Sequence, residues 1–291
     1  MATGSSSLNV FMVSSPLQLL ISRAIIAAGE PGTEFHVGIV GKFSGAEAVA
    51  ERLRDNYPLI ASVRYFHTFA DARSFIVSLH TDKLFIDSDL GVRKFLDLVQ
   101  IKARLPELEI AVYEEGWGTY RTDIYSGVRK ALFQKIGIGT HFGGCGLVSE
   151  IHVLQPRKYL DIFPKSRVRI VNVPQGPMAV IQAEFDAMCR IFDYVGVAGT
   201  GEKCCVYLSS WTADRAILEE LAQEGCDTYF KPHPHFSGEV DYFPLILVSN
   251  NAPAELVLAD LVRKYRLVKV YHHGSSVSSY CQGYQVEFVQ I

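Results

Sequence analysis

The sequence has no strong excess of charge and few cysteines. Its 28 lysines and arginines against 31 aspartates and glutamates give the 291 residues a net charge of −3. A protein that binds nucleic acid would carry a basic excess, so we expect no nucleic-acid partner. The six cysteines contain no C-x-x-C spacing, which argues against a disulfide scaffold, a zinc ribbon and a thioredoxin motif. Free thiols in a reducing compartment are expected instead.

Long apolar runs are missing as well. The longest stretch, 17–28, is interrupted by Gln18, Ser22 and Arg23, and it is shorter than the roughly 20 apolar residues of a membrane-spanning helix. Residues 1–9 lack the basic start of a signal peptide. These absences predict a cytoplasmic protein and leave peripheral association with the inner membrane open.

What the chain does contain is a regular alternation of strand-like and helix-like segments. Strands are predicted at 8–13, 35–40, 62–66, 83–86, 109–113, 150–154, 204–208, 228–230, 245–248 and 267–271. Helices are predicted at 17–28, 45–56, 70–79, 92–103, 124–136, 179–194, 213–223 and 254–265. This repetition is typical of parallel sheets with helices on both faces. We therefore predict an α/β fold of two Rossmann-type domains facing a central cleft, with ligands at the carboxyl ends of the strands.

The alternation pauses at 155–176, a segment with three prolines and little helical periodicity. Such a pause is typical of a connection between domains. We predict an N-terminal domain at 1–155, a linker at 156–177 and a C-terminal domain at 178–291.

Two polar segments follow predicted strands in the N-terminal half. Ser14, Ser15 and Gln18 come directly after the first strand, where hydroxyls and free amides at a helix start suit a phosphate, a sugar or an acceptor. An ordinary serine N-cap followed by proline explains the same residues. Glu114 and Glu115 end the fifth strand, and adjacent side chains there point to opposite sides. One carboxylate is then available as a general base, with the other bracing the loop. A solvated turn at the strand end is the alternative.

The C-terminal half contains a Lys-Pro-His-Pro segment after a predicted strand. The flanking Pro232 and Pro234 fix the backbone around His233. Beside Lys231, its imidazole suits a phosphate or a leaving group that needs a proton. His233 and His235 alone are weak evidence for a metal. A structural histidine that caps the loop is the alternative.

A cluster of serines follows the last predicted strand, at Ser275, Ser276, Ser278 and Ser279. Together with Gly274 they suggest a phosphate nest at a helix start, although the lysine and spacing of a P-loop are missing, which disfavours an ATPase. A serine-rich turn is the alternative. Glu255 lies at an earlier helix start, where it suits a ribose hydroxyl or simply the helix dipole.

Taken in order, these motifs resemble those of bacterial sialyltransferases that carry D/E-D/E-G, HP and S-S/T motifs. That group includes lipooligosaccharide sialyltransferases and capsular polysialyltransferases, and the opening S-S-P-L-Q-L-L segment is similar to theirs. The resemblance implies a GT-B fold, CMP-sialic acid as the donor, a glycan acceptor of the lipooligosaccharide or capsular type, and no metal or other cofactor. Residues 1–155 would form the acceptor side, and 178–291 would bind the CMP-sugar.

The resemblance also implies roles for individual residues. Glu114 matches the first acid of D/E-D/E-G and would be the general base, and His233 would hold or protonate the departing CMP phosphate. Glu115 and Gly116 would shape the loop, and Ser14, Ser15 and Gln18 would lie on the acceptor side. The nucleotide contacts would come from Lys231, Pro234, Glu255, Ser275, Ser276, Ser278 and Ser279. Because the serine motif is doubled, the matching pair stays open.

Three other functions fit the same sequence. A transferase of Kdo or another nonulosonic acid would use the same type of CMP-activated donor. A GT-B-like sugar-nucleotide epimerase would turn over a UDP-sugar without an acceptor. A binding protein on a decayed transferase fold would have no activity, but the polar residues at strand ends in both halves argue against it.

Overall fold

The computed structural model describes residues 7–233, 236, 245–281 and 283–291. The chain divides into two compact units. Unit 1 holds the residues up to 42 together with 46–176, and unit 2 holds 43–45 and 177–291. No helix in the described ranges is long and apolar enough to cross a bilayer.

Unit 1 is built around one parallel sheet. Its strands are β1 (Leu8–Val13), β2 (Glu34–Val40), β3 (Ser62–Phe66), β4 (Lys83–Ile86), β5 (Glu109–Tyr113), β6 (Glu150–Val153) and β7 (Arg169–Asn172). Its helices are α1 (Pro16–Ala27), α2 (Ala46–Asn56), α3 (Arg73–Ser78), α4 (Gly91–Lys102), α5 (Gly127–Lys135) and α6 (Pro156–Ile162), with a 3₁₀ turn at Trp117–Tyr120. The seven strands are ordered β3-β2-β1-β4-β5-β6-β7, so the strand order reverses between β1 and β4.

Unit 2 repeats this arrangement on a smaller scale. Its helices are α7 (Pro177–Ala183), α8 (Phe185–Phe192), α9 (Arg215–Leu221), α10 (Ala254–Lys264) and α11 (Val277–Tyr280). Its strands are β8 (Gly201–Leu208), β9 (Asp227–Lys231), β10 (Ile246–Leu247), β11 (Tyr265–His272) and β12 (Val286–Gln290). Within the described part of unit 2 they form a five-stranded parallel sheet in the order β10-β9-β8-β11-β12, and the reversal lies between β8 and β11.

The apolar pattern explains why the strands are central and the helices peripheral. In β1, Val10 through Val13 are fully buried, as expected for a parallel strand covered on both faces. Helix α2 instead buries Ala46, Val49, Ala50 and Leu53, the spacing of one helical face. The prediction of parallel sheets with helices packed on both faces is therefore confirmed.

Residues 156–177, expected from the sequence to form a linker, contain α6 and β7. Strand β7 pairs with β6 and forms the last strand of the first sheet. Only two of its four residues are apolar, so it lacks the apolar run that marks β4, and Pro156 occupies the first turn of α6, where proline is tolerated. The expected helix at 179–194 is two helices, α7 and α8, separated at Glu184.

A buried aspartate fixes the loop that leads into β6. Asp89 is fully buried, and its carboxylate accepts hydrogen bonds from the backbone N–H groups of Gly143 at 3.1 Å and Cys145 at 2.7 Å. A Cβ on Gly139 would lie 2.3 Å from the carbonyl oxygen of Asp89, so only glycine fits there. Burial raises the pKa of Asp89 to about 6, although these amides oppose the shift.

Candidate active site

Polar side chains gather where four adjacent strands of the first sheet end. Strands β2, β1, β4 and β5 are neighbours in that order. The residues that follow them at the carboxyl edge are Lys42, Ser14, Asp87, Glu114 and Glu115. The edge next to a reversal of strand order is where ligands bind in open α/β sheets, so this edge is the candidate site of unit 1.

Asp87 is the centre of this cluster. The Ser14 hydroxyl donates to its Oδ2 at 2.6 Å, and the Lys42 ammonium lies 3.1 Å from the same oxygen. Lys94 reaches the other oxygen, also at 3.1 Å. Burial by itself would raise the pKa of Asp87, but attraction to Lys94 and Lys42 and the Ser14 hydrogen bond lower it to about 2. Asp87 is therefore ionised at neutral pH and holds two cations at this edge.

The polar residues after β1 make different hydrogen bonds. The Ser15 hydroxyl accepts the backbone N–H of Gln18 at 3.3 Å and caps α1, with Pro16 in the first turn. Gln18 is buried, and its Oε1 accepts the backbone N–H of Ser14 at 2.8 Å. Only Ser14 directs its hydroxyl at Asp87. Ser15 thus matches the structural alternative of a helix cap, and Gln18 braces the turn.

Glu114 is buried within the protein. It is only 1% exposed, and its Oε2 accepts hydrogen bonds from the Tyr120 hydroxyl and the Leu154 backbone N–H, both at 2.7 Å. Its own N–H continues the sheet to the carbonyl of His152 at 2.9 Å. This carboxylate joins the 3₁₀ turn and the end of β6 to β5, so its contacts are those of a structural residue.

Glu115 has the opposite environment. The residue is exposed. Its Oε2 lies close to Gly118, because a Cβ added to that glycine would be only 2.9 Å from this oxygen. Protein atoms around the carboxylate displace solvent and raise its pKa to about 7, with repulsion from Asp87 adding to the shift and attraction to Lys42 opposing it. Within the described ranges, no hydrogen-bond donor reaches this carboxylate. A carboxylate with a pKa near neutrality is suited to accept a proton.

The loop geometry explains why the two glutamates differ. Gly116 has a φ of 104°, a backbone conformation that favours glycine, and it reverses the chain directly after the pair. The Glu115 N–H donates to the Thr119 hydroxyl at 2.8 Å, which closes the turn. Gly116 therefore turns the chain after the two glutamates, and Gly118 leaves room for the Glu115 carboxylate.

In unit 2, Lys231 and Glu255 lie below the surface. Both are buried, and the Lys231 ammonium donates to the carbonyls of Pro232 at 2.9 Å and Asn250 at 3.3 Å. Burial lowers the pKa of Lys231 to about 8, opposed by Glu255, and burial raises the pKa of Glu255. The two side chains support the end of β9 and the start of α10 from inside.

His233 lies at the carboxyl end of β9 and is half-buried. Its backbone N–H donates to the Ser209 hydroxyl at 2.9 Å, and its ring lies 6.3 Å from that of Trp211, which is 68% exposed. Pro234, also expected at this site, lies outside the described residues. Ser209 and Trp211 were missed from the sequence, although a Ser-Ser-Trp segment after a buried strand is the same kind of signal as Ser14-Ser15.

The serine cluster differs from the phosphate nest expected from the sequence. The buried His272 ring accepts, at Nδ1, the backbone N–H groups of Gly274 at 3.1 Å and Ser275 at 3.0 Å. These two amides are thus occupied by an imidazole and do not form an open nest. The Ser278 hydroxyl donates to the carbonyl of Ser275 at 2.9 Å, which leaves Ser275 and Ser276 as the pair at the start of the turn.

One group of side chains in the described ranges has spacing suitable for a metal. The ligand atoms of Cys205, Glu224 and Cys226 all lie within 4.8 Å of one another. Burial raises the pKa of Cys205 to about 12, and Glu224 is paired with Lys203 at 2.7 Å. A protonated thiol and an ion-paired carboxylate are poor metal ligands, so we assign no metal to this group.

A D-x-D spacing at Asp87-Ser88-Asp89 was not recognised in the sequence. Such carboxylate pairs can bind a divalent ion, but Asp87 is occupied by two lysines and Ser14. The Asp89 oxygens accept backbone N–H groups. The arrangement therefore does not fit a metal site.

Neither protein-family profiles nor curated proteins match the chain. Solved structures do. One is an α/β-galactoside α-2,3-sialyltransferase from Photobacterium phosphoreum, with a TM-score of 0.60 at 14% identity. The match covers 97% of this chain and 89% of the sialyltransferase chain. The UDP-GlcNAc 2-epimerase from Neisseria meningitidis bound to UDP-GlcNAc has a TM-score of 0.51 at 11% identity, with coverage of 98% and 87%. MnaA from S. aureus with UDP has a TM-score of 0.52 at 9% identity, with coverage of 93% and 75%. At these identities the likeness shows the fold: two Rossmann-like α/β units of the GT-B type, as the resemblance implied.

Proposed function

We propose that the protein transfers sialic acid from CMP-sialic acid to a glycan hydroxyl, with inversion at the anomeric carbon. The observation that carries the proposal is an exposed glutamate, Glu115, in a D/E-D/E-G motif at the carboxyl edge of the first sheet, with a carboxylate pKa raised to about 7. The fold shared with a sialyltransferase over 97% of the chain supports it, as does the order of the HP and serine motifs.

In this proposal Glu115 is the general base, in place of Glu114. The acceptor hydroxyl oxygen forms a bond to the anomeric carbon while its proton moves to the Glu115 carboxylate. The bond between that carbon and the phosphate oxygen breaks, and CMP leaves with the electron pair. Glu114 is a positioning residue, because its two hydrogen bonds hold the strand end and the 3₁₀ turn on which Glu115 lies.

The donor phosphate is assigned to unit 2. His233 would donate a proton or hydrogen bond to the departing phosphate, and Ser275 and Ser276 would donate hydroxyl hydrogen bonds. Fixed donors aimed at the charge that develops in the transition state contribute strongly to catalysis. Lys231 supports the end of β9, which carries His233, from inside, and a direct contact of Pro234 with the nucleotide stays a prediction.

A second candidate is supported by the fold. The likeness to a UDP-GlcNAc 2-epimerase favours an enzyme that turns over a UDP-sugar without an acceptor. Transfer of Kdo or another nonulosonic acid from a CMP-sugar is a variant of the first proposal, because these sugars share a carboxylate beside the anomeric centre.

One assay separates these functions. The purified chain is supplied with CMP-sialic acid, CMP-Kdo or UDP-GlcNAc, each with and without a glycan acceptor, and in the presence of EDTA or magnesium. We expect CMP release that an acceptor accelerates, only with CMP-sialic acid and unaffected by EDTA. Turnover of UDP-GlcNAc alone would establish the epimerase, and turnover restored only by magnesium would contradict the metal-free mechanism.

A further inference from the structure

Helix α5 exposes an apolar stripe. Val128, Leu132 and the following Ile136 are 86%, 54% and 53% exposed. At about 100° per residue, a spacing of four places them along one side of a helix. Phe133 is buried on another side, and its ring lies 5.3 Å from that of Tyr125. The helix is therefore anchored through one apolar side chain while three others face solvent.

Cations border this stripe. By the same helical geometry, Lys135 and Arg129 lie on either side of it, and Lys130 follows at the next position. The Arg129 guanidinium lies 5.1 Å above the Tyr125 ring and 5.2 Å above the Phe133 ring. Residues 124–136 contain no aspartate or glutamate, although the whole chain has a net charge of −3. The segment 124–136 thus carries a net positive charge.

A second exposed stripe lies in the same unit. On α4, Val92, Leu96 and Val99 are 45%, 52% and 38% exposed, also at the spacing of one helical face. The start of α4 is tied to the segment after α5 by the hydrogen bond from the Gly91 N–H to the Gly139 carbonyl at 3.2 Å. Exposed apolar side chains are therefore not confined to a single helix of unit 1.

We propose that Val128, Arg129, Leu132, Lys135 and Ile136, which we call the α5 surface, dock on an anionic lipid bilayer. An apolar stripe bordered by lysine and arginine is the composition of helices that lie in the membrane interface. Apolar side chains enter the acyl boundary, and the cations meet lipid phosphates. Each cation near an anionic surface contributes about 1 kcal/mol. Docking through this surface does not depend on the proposed activity.

A second copy of the chain fits this surface less well. Two α5 surfaces that met face to face would bring Arg129 and Lys135 of each copy together with no acid among 124–136 to compensate them. Like charges opposed in an interface are unfavourable. The stripe also supplies three apolar residues, whereas stable interfaces use about 20–30 residues a side.

The test measures binding of the full chain to vesicles. Sedimentation compares vesicles of phosphatidylcholine alone with vesicles that also contain phosphatidylglycerol, for the wild type, Leu132→Ser and Lys135→Glu. Leu59→Ser is the matched control, because Leu59 is 53% exposed and lies outside α5. Because these side chains are exposed, we expect all variants to fold, and circular dichroism checks this.

We expect the wild type to bind the anionic vesicles and to be released at high salt. Leu132→Ser and Lys135→Glu should each weaken binding about tenfold, and Leu59→Ser should not. Equal binding by all variants, or no binding by the wild type, would overturn the proposal. So would a wild-type dimer that Leu132→Ser converts to a monomer, because that result would make the surface a protein interface.

Discussion

At the scale of single residues, two adjacent glutamates differ only through their surroundings. Glu114 is buried and accepts two hydrogen bonds. Glu115 is an exposed residue, but the protein atoms beside its carboxylate and the Asp87 charge raise its pKa to about 7. Burial, neighbouring charge and hydrogen bonding are the effects that decide such pKa values. The pattern E-E-G in the sequence indicates a base at this place but does not decide which glutamate is exposed.

Lys42 provides a test of the pKa of Glu115. Its ammonium lowers that pKa and is 54% exposed, so Lys42→Ala should fold. A base acts when deprotonated, so activity should rise with pH around 7. Without the cation, the midpoint of this rise in kcat/KM should move to higher pH by about half a unit. Lys42→Arg, which keeps the charge, should leave the midpoint near its original value. A midpoint that stays fixed or moves to lower pH in Lys42→Ala would show that the titrating group is not Glu115.

His233 is predicted to act in both binding and turnover. A hydrogen bond to a charged group contributes about 1.5–3 kcal/mol, so His233→Ala should weaken CMP binding about tenfold or more and also lower kcat. Titration calorimetry with CMP measures the binding change. His67→Ala is the control, since His67 is exposed in unit 1 and contacts Tyr65. Unchanged CMP affinity in His233→Ala would remove the histidine from the nucleotide site.

At the scale of secondary-structure elements, strands with an unbroken apolar run could be predicted, and short elements without one could not. Strands β1, β4 and β5, inside the first sheet, begin and end where expected, because each contains such a run. Strand β7 was missed because only two of its four residues are apolar, and helix α6 was missed because its seven residues are too few to show a helical period. The phosphate nest was wrong because its amides are taken by His272, a contact between a strand end and a turn that residue types do not reveal.

The loop that leads into β6 yields a prediction about stability. A Cβ at Gly139 would lie 2.3 Å from the backbone oxygen of Asp89, and backbone cannot yield as a flexible side chain can. Gly139→Ala should therefore lower the free energy of unfolding by about 1–3 kcal/mol, measured by urea denaturation. Gly176→Ala is the matched control, because no atom lies within 4 Å of its added Cβ. Equal stability of the two variants would refute the close packing of Gly139 on Asp89.

At the scale of the whole molecule, each unit has polar side chains at strand ends near the reversal point of its own sheet. Unit 1 supplies Glu115, Asp87 and Lys42 at strand ends beside the reversal between β1 and β4. Unit 2 supplies His233 and the Ser275-Ser276 pair beside the reversal between β8 and β11. This repetition was predictable, because the βα alternation alone determines a parallel sheet and hence a carboxyl edge. The separation of acceptor chemistry and nucleotide binding between the units is the part of the proposal that depends on single residues.

The assignment of Glu115 as the general base is tested most directly by comparing Glu115→Gln with Glu114→Gln in sialyl transfer from CMP-sialic acid. Loss of a general base should lower kcat by about 10²–10⁴-fold in Glu115→Gln, with CMP affinity unchanged. Glu114→Gln should retain most activity, because the amide oxygen of glutamine can still accept from the Tyr120 hydroxyl and the Leu154 N–H. The opposite ranking would return the base to Glu114, and full activity in both variants would contradict the catalytic role of this strand end.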